Sequence, residues 1–262
     1  MAVPLPRKIT GPKLKAFEGD IESIQFEDIL HSDDDDEGRE QIPHGRVFRV
    51  RIEGETFALK IFNFFSLEEI RPYAFDKQYL LKDNVVRHHI DPFYAECRAF
   101  GLLVEKKRDD ELAVRCHGYV FLSEAIERQI EDQFGIRDWN RKAEDKESEL
   151  RAIVKDYIPW KSLRHRKKWE VMRKNLEQLN KLGIYNMDVR EDNYLGGRLF
   201  DFSIAITYPH LSLWPKIRSI EQILEDQADD LDCFDSMMEE VLKREERSVT
   251  RSQKSKALVA EI

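Results

Sequence analysis

The sequence predicts an α+β fold in two lobes: an N-terminal antiparallel sheet lobe carrying one helix, and a shortened helical C-terminal lobe, with a cleft between them. Three observations predict it. Five runs before residue 158 mix apolar and polar residues with the alternation of half-buried strands. One capped helical stretch falls among those runs. After "IPW" (158–160) the apolar period lengthens from two to nearly four. The boundaries that follow are an irregular N-terminus at 1–20, a sheet lobe with an acidic loop and insertions at 21–158, a helical lobe at 159–246, and a basic tail at 247–262 expected to be disordered.

Taken in order, "IQFEDIL" (24–30) is a candidate first strand. It is followed by "HSDDDDEGREQIPHG", an acidic loop with nothing to build a core from. "RVFRVRI" and "TFALKIF" flank "EGE", and alternation around a glycine reads as a hairpin. Residues 63–90 give no single period and read as a mixed insertion. Asp91 is suited to cap a helix that starts at Pro92. On that helix Phe93, Phe100 and Leu103 recur at helical spacing, with Glu96 and Cys97 near the same face. "ELAVRCHGYVFL" and "ELRAIVKDYI" read as strands, and the charged stretch between them (123–148) as a surface excursion, helical in part. Trp169, Met172, Leu176 and Leu179 then form one apolar stripe, ended by Gly183 with Ile184 packing back. "IEQILEDQADDLDCFDSMMEEVLKREE" supplies one or two further helices.

Composition narrows the functional classes. The chain has 262 residues, 41% hydrophobic and 36% charged, with a formal net charge of -8. That acidity gives nucleic-acid binding no support. No apolar run is long enough to span a bilayer. Three cysteines far apart (Cys97, Cys116 and Cys233) argue against a disulfide framework or compact zinc site, and so for the cytosol or nucleus. His88, His89 and His117 lack metal-ligand spacing and read as structural. The cluster His165, Arg166, Lys167 and Lys168 reads as a solvated helix start.

The stretch with chemical content is "YNMDVREDNYLGGRLFDFS" (185–203). A tight turn at Gly196 and Gly197 opposes Leu195 with Arg198, Tyr194 with Leu199 and Asn193 with Phe200. Asn193 and Asp201 then share the open end of the hairpin, roughly 5 to 8 Å apart. An amide and a carboxylate oxygen so placed suit magnesium, which completes its shell with phosphate and water. Asp188, on the incoming loop, is placed to orient a hydroxyl.

Asp188, Asn193 and Asp201 resemble the catalytic-loop and metal-binding pattern of protein kinases, a histidine-arginine-aspartate loop with a downstream asparagine, followed by aspartate-phenylalanine-glycine. "TFALKIF" is similar to the kinase strand that carries the phosphate-contacting lysine, here Lys60, with Glu96 as its ion-pair partner. "IVKDYI" resembles the adenine-binding hinge, at Asp156, Tyr157 and Ile158. The resemblance implies a kinase-like two-lobed fold with Mg2+ and ATP as cofactors, Asp188, Lys60 and Glu96 as catalytic residues, and Asn193 and Asp201 as metal ligands. More narrowly, "FYAECRAFGLL", "RCHGYV" and "MDVREDNYL" with "RLFDFSIA" look like a fungal kinase-related family represented by an inner-kinetochore complex subunit of Fta-two type. That implies a fungal source, protein partners in a kinetochore-type assembly, and a location in the nucleus at the kinetochore or in the cytoplasm.

The chain also departs from the kinase pattern. Aligning the last glycine of the phosphate-covering loop with Gly45 leaves Glu40 and Ile42 at the other two glycine positions. Asp33, Asp34, Asp35, Asp36 and Glu37 fall near where a triphosphate would lie. Asn186 and Met187 replace the loop histidine and arginine, and Ser203 the glycine after Asp201-Phe202. Only residues 202–262 follow Asp201, with no Ala-Pro-Glu motif. Two functions therefore stand side by side: an atypical phosphotransferase using Mg-ATP, and a catalytically inactive kinase-derived interaction subunit.

Overall fold

The computed structural model describes residue 5 and residues 10–31, 44–68, 81–159 and 166–260. The acidic run Asp33 to Glu37, Glu40, Ile42 and His165 lie outside the described residues, as do the side chains of Arg166, Lys167 and Lys168.

Alternation builds one antiparallel sheet, of β1 (Gln25–His31), β2 (Gly45–Ile52), β3 (Glu55–Phe62), β4 (Cys116–Leu122) and β5 (Leu150–Asp156), in the order β1-β2-β3-β5-β4. The β2–β3 connection is a two-residue turn with positive φ at both Glu53 (51°) and Gly54 (86°), the twist that a tight hairpin needs. Because side chains alternate, each strand serves two cores. Leu59, Ile61, Ala152 and Val154 face one side, while Phe62 and Ile153 face the other.

Between β3 and β4 lie α1 (Asp83–Ile90), α2 (Pro92–Glu105) and the single turn α3 (Asp109–Leu112); α4 (Glu124–Phe134) joins β4 to β5. Among the described residues there are four helices here, where the sequence leads one to expect one helix and a partly helical excursion. The cap at α2 is as the sequence indicates: the Phe93 N–H donates to Asp91 Oδ1 at 3.0 Å, with Pro92 in the first turn. The helix α1 carries only a short apolar signal, and it is placed by burial of Val86 and His89 beside α2. The strand expected from Glu111 begins only at Cys116. Ala113 and Val114 pair instead with Leu199, and the Val114 N–H donates to its carbonyl at 2.8 Å. Nor is 123–148 only a surface excursion, for Ile126, Ile130 and Trp139 close the outer face of the sheet.

The stripe of α5 (Arg166–Lys181) buries Met172, Leu176 and Leu179, and Gly183 follows at φ 82°. Two short ladders come next: β6 (Ile184–Tyr185) with β9 (Ile206–Thr207), and β7 (Tyr194–Leu195) with β8 (Arg198–Leu199). Finally α6 runs from Ile220 to Ala260. Its backbone is helical through 247–260, within the tail expected to be disordered; that stretch holds no Gly or Pro to stop a helix. Phe62, Phe93 and Ile153 share one apolar cluster with Leu176 of α5 and Phe234 of α6, so this core is continuous from the sheet to the C-terminal helices. No helix among the described residues is long and apolar enough to cross a membrane.

Candidate functional site

Lys60 projects from β3 on the side facing α2. Its Nζ lies 2.9 Å from Glu96 Oε2 and 2.8 Å from Asp201 Oδ1. The opposite oxygen of Glu96, Oε1, accepts from Lys155 Nζ at 2.6 Å, and Lys155 also donates to the Phe200 carbonyl at 2.8 Å. Two ammonium and two carboxylate groups thus form one network, in which Glu96 has no solvent exposure. Burial pushes the Asp201 carboxyl up, but the Lys60 and Lys155 charges outweigh it and hold the group well below the usual carboxylate range. Burial likewise works against the Lys60 cation, and the Asp201 and Glu96 carboxylates reverse that and raise its pKa.

Asp188 and Asn193 meet at a second point. Asn193 Nδ2 donates to the Asp188 backbone carbonyl at 2.8 Å and to its Oδ2 at 2.7 Å, and Arg190 pairs with the same oxygen at 3.2 Å. Asn186 joins the two points: its Nδ2 donates to the Asp201 carbonyl at 2.7 Å and its Oδ1 accepts from the Asp188 N–H at 3.2 Å. The loop is held from α6. Asp230, fully buried, accepts from the Asn186 and Met187 N–H groups at 2.8 Å each, and Met187 takes a positive φ of 65°. Asn180, with its amide nitrogen turned to donate, reaches Asp230 Oδ2 at 2.9 Å. Beyond Asp201 the Ser203 N–H donates to Asp201 Oδ1 at 2.8 Å, and the Ser203 hydroxyl lies 3.0 Å from His44 Nδ1. Phe202 is buried edge-on to Phe100, with ring centroids 5.2 Å apart.

The structure therefore joins Lys60, Glu96 and Asp201 directly, and Asp188 to Asn193. The Phe200 N–H donates to the Asn193 carbonyl at 3.2 Å, the opposition the Gly196–Gly197 turn requires. Asp156, Tyr157 and Ile158 stand apart from this network. Asp156 lies 2.6 Å from His117 Nε2 and gives its N–H to the Arg115 carbonyl, and Tyr157 faces Arg49 at 5.7 Å. A cavity of about 430 Å3 lined by Phe17, Ile52, Phe57, Val104 and His117 has none of the expected site residues in its wall.

Sequence reasoning missed Lys155 and Asp230. Each carried a signal: Lys155 follows three apolar residues in a strand, and Asp230 interrupts the stripe that leads to Phe234 and Met237. Asp201 Oδ1 is committed to Lys60 and to Ser203, and no group of three or more His, Cys, Asp or Glu among the described residues could hold a metal.

Comparison with known proteins adds one finding. The family model described as "Kinetochore Sim4 complex subunit FTA2" matches residues 1–206, which takes in the sheet, α1 to α5 and every residue of the network. No curated protein matches the chain.

Proposed function

The chain belongs to the kinetochore Sim4 complex subunit FTA2 family, and from that premise we propose that it is an interaction subunit built on a protein-kinase-like body, whose nucleotide-site residues now serve as an internal ionic framework. Its work lies in the nucleus, among the protein partners of a kinetochore assembly. Support for the kinase-like body comes from the strand order with α2 between β3 and β4, the Lys60–Glu96 pair, and the Asp188–Asn193 bond below it. The observation that carries the interaction reading is that the Lys60 and Lys155 ammonium groups are paired with the Glu96 and Asp201 carboxylates at 2.6 to 2.9 Å, so the groups a nucleotide and its metal would use are already bonded to one another. The substitutions at Asn186, Met187 and Ser203 point the same way.

Co-expression with the partner subunits of the complex tests this. Lys60→Met with Asp201→Asn should leave assembly intact once circular dichroism shows the double variant folded. Loss of assembly by a folded double variant sinks the nucleotide-independent reading.

One observation favours a second reading, an atypical phosphotransferase: Lys60, Glu96, Asp188, Asn193 and Asp201 keep the residue types that Mg-ATP chemistry uses. There Lys60 would leave Asp201 for phosphate, and Asn193 and Asp201 would hold magnesium. Calorimetric titration of ATP with and without magnesium decides it. Binding that requires magnesium and disappears in Asp201→Asn supports this reading; no heat at millimolar ATP ends it.

A further inference from the structure

Lys155 brings a second ammonium group into this network. Its side chain is 3% exposed and projects from β5 on the same face as Ile153, the strand partner of Lys60. Apolar rings flank the ammonium, Phe100 at 5.5 Å and Phe200 at 5.9 Å, so its polar partners are the Glu96 carboxylate and the Phe200 carbonyl. These contacts tie three elements together: β5, α2 and the chain that leads from β8 into Asp201.

We infer that Lys155 is a built-in counter-ion, a positioning residue that supplies inside the fold the positive charge a divalent cation would otherwise bring to Glu96 and Asp201. This rests on the kinase-like reading above for the identity of the site. The charge count carries the argument: Lys60 and Lys155 balance Glu96 and Asp201, all four buried or partly buried within one set of contacts of 2.6 to 2.9 Å. A doubly charged ion entering a neutral, poorly solvated set meets two ammonium groups and has no surplus anion to neutralise. Lys155 also fixes Asp201 from behind, at the preceding carbonyl, while Asn186 fixes its own carbonyl and Ser203 its carboxylate. The position of Asp201 is therefore set by Lys60, Lys155, the Asn186 amide and the Ser203 N–H.

The test uses the full chain and the metal ions themselves. Thermal melting of the wild type should be unmoved by MgCl2 or MnCl2. Lys155→Met keeps the length of the side chain and removes its charge, leaving the network one negative charge in surplus. This variant should melt lower and regain about 2 to 4 °C with either ion. Adding Asp201→Asn should abolish the regain, because the surplus charge is then gone. A Lys155→Met variant that folds but gains nothing from either ion reduces Lys155 to a packing and hydrogen-bonding role and overturns the inference. Should that variant fail to fold, paramagnetic titration of the wild type with Mn2+ decides instead. Stoichiometric binding overturns the inference, and none supports it. Either failure leaves the interaction reading standing, since partner assembly tests that separately.

Discussion

A carboxylate that accepts two backbone N–H groups ordinarily titrates low, yet Asp230 is pushed up to about 6. Burial is the larger influence; the bonds from Asn186 and Met187 lower the value without cancelling it, and the charge of Asp229 adds to the rise. The folded value lies above the ordinary 3.8, so between the two the native state holds the extra proton. The stability this contributes is present below the ordinary value and is lost as pH rises through 6. A rise from 3.8 to about 6 corresponds to about 3 kcal/mol across the whole transition. His210 opposes it in the same window: burial lowers its imidazole to about 4, so its neutral native form stabilises the fold as pH rises towards 6.5. Wild type therefore hides the effect, and Asp230→Asn reveals it. Measured by urea unfolding, the stability of wild type minus that of the variant should fall by about 2 kcal/mol from pH 4 to 6.5. A difference that does not change with pH rules out Asp230 as the titrating group.

At the scale of elements, two glycines show how the N-terminal segment is held. A side chain at Gly101 in α2 would meet the Lys13 and Leu14 backbone at 2.5 Å, and one at Gly118 in β4 would meet the Phe17 nitrogen at 2.6 Å. Over this track the Phe17 N–H donates to the Tyr119 carbonyl at 2.9 Å, and the Tyr119 N–H to that of Lys15 at 3.1 Å. Gly101→Ala should lift the segment at a cost of about 1–3 kcal/mol, which is roughly tenfold to a hundredfold faster trypsin cleavage after Lys13 and Lys15 with helix content unchanged. Unchanged protection would mean the segment yields without leaving. No local pattern announces such a contact, and this is where sequence reading stops. The Asp91 cap, the Gly196–Gly197 turn with its register, and the Met172 to Leu179 stripe were legible because residues a few positions apart decide them. Lys60, Glu96 and Asp201 were legible through a resemblance that supplies the long-range pairing. Lys155 and Asp230 were not, because their partners lie 59 and 44 residues away and the residue type alone reads as a strand or helix charge. The role of α4 was hidden because Ile126 and Ile130 are few among charges, and only the sheet face they cover makes them core.

For the molecule as a whole, the question is how far the body extends past residue 206, where the family match ends. The first core answers it. Phe234, Met237, Met238 and Val241 of α6 are buried in the cluster that holds Phe93 and Leu176, and Asp230 supports the loop through Asn186 and Met187. Arg173 of α5 also pairs with Asp235 at 2.9 Å, though an exposed pair adds little. Losing four such apolar side chains, at about 2–5 kcal/mol for each large one, matches or exceeds the roughly 5–15 kcal/mol by which domains are stable. The matched region alone should therefore not fold. A chain ending at residue 219 should show a broad, non-cooperative melt and associate on size exclusion. One ending at residue 246 keeps every side chain described as buried and should melt cooperatively as a discrete species. The same two chains separate scaffold from assembly. If α6 only completes the core, the chain ending at 246 binds partner subunits as the full chain does. If it folds but no longer assembles, the helix beyond residue 246 is itself part of the contact. A cooperative melt from the chain ending at 219 would show instead that α6 lies against a body already complete, and that the buried Phe234 cluster is an interface within the chain.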